Sequence, residues 1–84
     1  MTHQEVVEKL NAFLVNKIEV KESLLFPDAD VKEDLGMTSM DLMETIIFIK
    51  RTFGFKPARG VLHHLFTLND WYDYIETNAM IDGR

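Results

Sequence analysis

Apolar residues recur along this chain at helical spacing. Val6, Val7, Leu10, Phe13, Leu14 and Ile18 lie three and four positions apart, which predicts an amphipathic helix from about His3 to Ile18. Glu5, Glu8, Lys9 and Asn16 fall largely on its other side. Met40, Met43, Ile46, Ile47, Ile49 and Phe53 predict a second helix over Ser39–Phe53 with a wide buried face. Asp41, Glu44, Thr45, Phe48 and Arg51 project roughly the opposite way. Trp71, Tyr74 and Ile75 set the inward face of a last helix running from Leu68 to about Thr77. The short apolar piece from Val61 to Phe66 reads as one or two further helical turns.

Local punctuation agrees with these limits. Thr2 with Glu5, and Thr67 with Asp70, have the spacing of capping boxes, in which each side chain satisfies a backbone donor of the other. Gly54 stands where a left-handed C-cap is expected after the second helix. Pro57 and Gly60 then break the chain. Between the first two helices lies a long connection, from about Glu19 to Thr38. Its Pro27-Asp28-Ala29-Asp30 is turn chemistry. Leu24, Leu25, Phe26, Val31 and Leu35 are too apolar for a free loop and are expected to fold back on the core. Strand signals and internal repeats are absent. The expectation is an all-α single domain over residues 1–84: a small four-helix bundle with three longer helices, one short helix and a long first loop. Its core runs from about residue 3 to 77. Residues 78–84 form a tail, with Asp82-Gly83-Arg84 frayed.

Composition narrows the chemistry. With 84 residues and no cysteine, the chain has no disulfide, thiolate nucleophile or Cys-based zinc site. Its core rests on packed side chains, and 46% of residues are hydrophobic. No stretch approaches the roughly 18 apolar residues that cross a bilayer. The start, Met1-Thr2-His3-Gln4-Glu5, lacks the basic and apolar run of a signal peptide. A soluble cytoplasmic protein without membrane insertion is expected. The net charge is −5 and is unevenly placed. Residues 1–44 hold ten acids and four bases, whereas residues 45–84 hold four acids and five bases. An acidic chain argues against nucleic acid, whose phosphates need a broad basic surface. It favours basic patches on proteins. No acid–base pair, nucleophile–His arrangement or phosphate loop suggests an enzyme. Adjacent histidines point to different faces of a helix, so His63 and His64 make a poor metal pair, and no metal site is expected.

The most informative segment is Glu33-Asp34-Leu35-Gly36-Met37-Thr38-Ser39-Met40-Asp41-Leu42-Met43-Glu44. Ser39 opens a helix, where free backbone amides and the helix dipole favour negative charge. Gly36 permits a tight turn just before it. Serine is also a favoured N-cap, a role Thr38 can fill equally well. Here the chain resembles the acyl carrier protein family, which shows Asp-Leu-Gly, two variable residues, then Ser, an apolar residue, Asp, two more residues and Glu. Asp34-Leu35-Gly36, Ser39-Met40-Asp41 and Glu44 stand in that register. Pro27-Asp28-Ala29, Phe53-Gly54-Phe55, Thr67-Leu68 and Tyr74-Ile75 extend the resemblance over most of the chain.

That resemblance implies a non-enzymatic carrier. Ser39 would hold a 4'-phosphopantetheine arm, installed from coenzyme A by a phosphopantetheinyl transferase. The arm's thiol would carry acyl groups as thioesters to acyl-transferring or synthase enzymes of fatty acid, lipid or related biosynthesis. It further implies a monomer, acyl chains sheltered in the bundle near Met37, Met40 and Met43, and a partner-docking helix presenting Met40, Asp41, Met43, Glu44, Ile47, Lys50 and Arg51. The chain also departs from the family. Thr38 replaces the usual Asp before the serine, and Lys50 and Arg51 stand where acids are usual. Those two bases oppose docking of a basic patch at the far end of the helix and suggest specialised partners. Phe48 is a candidate partner anchor on the same helix, and bending into the core is the equal alternative. An aminoacyl or peptidyl carrier is an alternative, ranked lower because Met37 and Thr38 do not fit the peptidyl pattern. A carrier-like interaction subunit with Ser39 unmodified is another.

Overall fold

The first helix begins where its cap stands in the sequence. In the computed structural model, which describes residues 2–83 and their side chains as far as residue 79, α1 spans His3–Asn16. The Thr2 hydroxyl accepts from the Glu5 amide at 3.1 Å, and the Glu5 carboxylate accepts from the Thr2 amide at 2.9 Å. The Thr2 amide, and after it the Thr2 hydroxyl, donate to the Glu5 carboxylate and hold it below the usual carboxylate range. The helix ends two residues before the expected Ile18. No glycine stands here, and Glu19 takes the left-handed conformation itself, with φ 68°. The turn is closed by the Val20 amide, which donates to the Leu14 carbonyl at 2.9 Å.

The second helix, α2, spans Ser39–Phe53. Gly54 closes it in the left-handed conformation, φ 80°, its amide donating to the Lys50 carbonyl. The third, α3, spans Leu68–Gly83, six residues past the expected Thr77. Thr67 and Asp70 cap it reciprocally, each accepting at 3.1 Å from the other's amide. Residues 78–83 are therefore helix rather than tail. The fraying expected of Asp82-Gly83-Arg84 concerns side chains, and for Arg84 the backbone, outside the described residues. The fourth helix is only a 3-10 turn over Val61–His63, and a second such turn occupies Glu22–Leu24. Among the described residues there is no strand.

Val6, Leu10 and Leu14 of α1, Leu42, Ile49 and Phe53 of α2, and Leu68, Trp71, Tyr72, Ile75 and Ala79 of α3 form one buried core. Trp71 is fully enclosed, and its indole N–H donates to the Leu65 carbonyl at 2.9 Å, as a buried polar group requires. Tyr74 is half-buried, and its hydroxyl accepts from the Ala58 amide.

The long first connection is fastened rather than free. Val31 donates to the Phe66 carbonyl, Leu68 to Ala29 and Asn69 to Pro27, so residues 27–31 lie along the start of α3. Val31 is buried, and Leu25 and Leu35 pack partly against the core, as expected. Leu24 and Phe26 instead stay exposed, the latter by 60%. Next, Asp30 and Asp34 tie a tight turn. The Asp34 carboxylate accepts from the Asp30 amide, and the Asp30 carboxylate accepts from the Lys32 and Glu33 amides. Gly36 leaves that turn at φ 70° and Met37 drops into the core. This places the start of α2 at the surface.

Candidate functional site

Thr38, not Ser39, is the N-cap of α2. Its hydroxyl accepts from the Asp41 amide at 3.2 Å, and the Asp41 carboxylate accepts from the Thr38 amide at 2.9 Å. Ser39 is the first helical residue and is exposed. With the cap supplied by its neighbour, the Ser39 hydroxyl has no hydrogen-bond partner among the described residues. The Leu42 amide donates to the Thr38 carbonyl. The amides of Ser39 and Met40 are thus left as the free donors of the first turn. Thr38 therefore keeps the capping function of an Asp at this position while removing its charge.

The outward face of α2 differs from the one its periodicity suggests. Met40, Met43 and Ile47 are exposed by 71, 63 and 49%. They form one apolar stripe in front of Ser39, with Glu44, Lys50 and Arg51 exposed on the same side. The buried face is Leu42, Thr45, Ile49 and Phe53. Thr45, expected outside, is fully buried because its hydroxyl donates to the Asp41 carbonyl at 2.8 Å, which removes the cost of enclosing it. Phe48, also expected outside, turns toward α1 and stacks on Phe13 with ring centroids 4.2 Å apart. The apolar residues of α2 cover more of its circumference than one packing face can bury, so the surplus remains in solvent.

Two clefts flank this stripe. One, of about 200 Å³, lies between α2 and the Val61–His63 turn and is lined by Ser39, Met43, Ile46, Gly60, Leu62 and His63. The other, of about 340 Å³, lies between α1 and α2. His63 beside Ser39, and Phe13 and Lys17 beside Arg51, are neighbours that sequence reasoning missed. They lie far away in the chain, and only packing brings them together.

No protein-family model matches the chain. It is 30% identical over 74 residues to the acyl carrier protein of Onion yellows phytoplasma, a match covering 88% of this chain and 97% of that relative. The chain belongs to the acyl carrier protein family. A second acyl carrier protein, from Coprothermobacter proteolyticus, is 27% identical over 78 residues, 93% of this chain and 95% of the relative. Members of this family are carriers, not enzymes.

The charges of α2 differ between its two ends. Asp41 and Glu44 lie in the first two turns of α2, and Lys50 and Arg51 in the last. Bases there also suit the helix dipole. Among the described residues, no helix is long and apolar enough to cross a membrane. Among the described residues, His63 and His64 join no metal-ligand set. The fold does gather His3, Asp73 and Glu76 at the surface, their ligand atoms within 4.8 Å of one another, with His3 paired to Glu76. None of these three lines the cleft beside Ser39.

Proposed function

We propose that Ser39 bears a 4'-phosphopantetheine group, joined through its hydroxyl by a phosphodiester, and that the carrier presents acyl groups to enzymes of fatty acid, lipid or related biosynthesis. When bound, the group supplies a thiol that holds acyl groups as thioesters, which this cysteine-free chain lacks. The observation that carries this reading is the free, exposed hydroxyl of Ser39 in the first turn of α2, released from capping by Thr38.

The surrounding residues fit such a group. The unpaired amides of Ser39 and Met40, at the positive end of the helix dipole, favour an anion on the Ser39 oxygen. Met37 anchors the chain just before the site, and the tied Asp30–Asp34 turn holds it there, so the hydroxyl faces solvent without a flexible approach. Met43, Ile46 and Leu62 offer apolar surface beside Ser39 against which an acyl chain can rest. Met40, Met43 and Ile47, bordered by Asp41 and Glu44, give partner enzymes an apolar surface with an acidic rim close to the reactive arm. Methionine suits a surface met by several partners, because its unbranched side chain repacks readily.

The test is intact mass. Expressed with a phosphopantetheinyl transferase and coenzyme A, the wild-type chain gains one phosphopantetheine unit and Ser39→Ala gains none. No gain on the wild type would sink the proposal, and a gain that persists in Ser39→Ala would move the site. Loading with acyl and aminoacyl donors then separates an acyl carrier from an aminoacyl or peptidyl one.

A further inference from the structure

The groove between α1 and α2 has a chemistry that attachment at Ser39 does not require. Its floor is the stacked pair Phe13 and Phe48, its lip is Ile47, and Lys17 and Arg51 both line it. Glu44 lies at its other end, two helical turns before Arg51. Among the described residues, neither Lys17 nor Arg51 forms an ion pair within the chain. The helix dipole accounts for a base in the last turn of α2. Lys17, the C-cap of α1, suits that helix's dipole in the same way, but neither dipole requires the two cations to share one apolar concavity, where the fold brings them together.

We propose that this groove receives an apolar side chain of a partner protein, with a neighbouring carboxylate of that partner paired to Arg51 and Lys17. The partner surface is thereby bipolar: basic where it meets Asp41 and Glu44 near Ser39, acidic where it meets the far end of α2. This rests on the reading of α2 as the docking helix and adds the chemistry of what docks there. An apolar anchor seated in a pocket between complementary charges is the arrangement that concentrates binding energy in protein interfaces. The charges chiefly set which partner is accepted. A protein is favoured over an anionic lipid surface on two grounds. The chain carries a net charge of −5, which such a surface repels. The two cations also border a concave groove rather than a flat basic face.

The probe is a short amphipathic peptide with one leucine flanked by glutamates, titrated into the isotope-labelled wild-type chain by NMR. The same peptide with Glu→Lys, and vesicles of phosphatidylserine and phosphatidylcholine, serve as comparisons. The acidic peptide is expected to shift the amides of Lys17, Ile47, Phe48 and Arg51. It should bind about ten-fold more tightly than its basic counterpart, the scale of two partly exposed ion pairs. In Lys17→Glu/Arg51→Glu the preference should invert. Ile47→Ser, which keeps both charges, should weaken both peptides. Equal affinity of the two peptides, shifts outside the groove, an unchanged preference in the charge-reversed variant, or stronger binding to the vesicles would overturn the proposal. Repeating the titration with Ser39→Ala keeps the two readings apart: groove binding there should equal wild type, whatever the mass experiment returns.

Discussion

Thr38 and Asp41 close on each other across the first turn of α2, each accepting a hydrogen bond from the other's amide. The cap is thus complete without Ser39, whose side chain is left for other chemistry. Thr38→Ala removes one of these bonds and should cost about 1 kcal/mol, read from the urea midpoint. Thr38→Asp keeps an acceptor at the cap and should stay within about 0.5 kcal/mol of wild type. If both substitutions cost the same, the side chain of Thr38 is not what holds the helix start.

Lys50 and Arg51 should act chiefly on partner choice, with a smaller effect on folding through the helix dipole. Both are exposed and unpaired among the described residues. Lys50→Glu/Arg51→Glu restores acids at the end of α2. It should raise kcat/KM with general fatty acid synthesis enzymes by about three- to ten-fold, with the gain shrinking at high salt. Unchanged kinetics would mean that the two bases are merely solvated.

Phe13 and Phe48 stack across α1 and α2, with an interplanar angle of 13°. A double-mutant cycle of Phe13→Leu and Phe48→Leu should return a coupling of about 1 kcal/mol in unfolding free energy. A coupling near zero would show that the rings contribute area alone.

Tyr72 joins α3 to α1 through its hydroxyl, which donates to the Asn11 side chain. Burial raises its phenol above the ordinary 10.0. The fold therefore favours the neutral phenol. Its contribution is whole below the ordinary value and is lost as the pH rises past it through the folded value. Tyr72→Phe should cost about 1 kcal/mol at neutral pH. It should also lose less stability than wild type above about pH 10, measured as urea midpoints. A parallel alkaline decline in both proteins would count against this.

The starts of the helices and the end of α2 were legible because capping is local. Thr2 with Glu5, Thr67 with Asp70, and Gly54 mark their boundaries through bonds spanning three or four residues. The end of α1 was less legible, since Glu19 there adopts a conformation that composition does not signal. The end of α3 was also missed, because the periodic residues stop before the helix does. The first connection was read correctly as turned back at Val31 and wrongly at Leu24 and Phe26. Whether an apolar loop residue is covered depends on the strand of loop beside it, not on its own side chain.

By itself the sequence determined that the chain is helical, where α2 starts, and that Ser39 stands in its first turn. These follow from periodicity and from caps formed between near neighbours. Only the tertiary structure decided which apolar residues of α2 are inside. The shared core takes Leu42, Ile49 and Phe53, and admits Thr45 with its hydroxyl bonded to the Asp41 carbonyl. Met40, Met43 and Ile47 are equally apolar and remain in solvent because no element is left to cover them. Hydrophobicity states that a side chain gains by burial, and only packing partners state which one is buried.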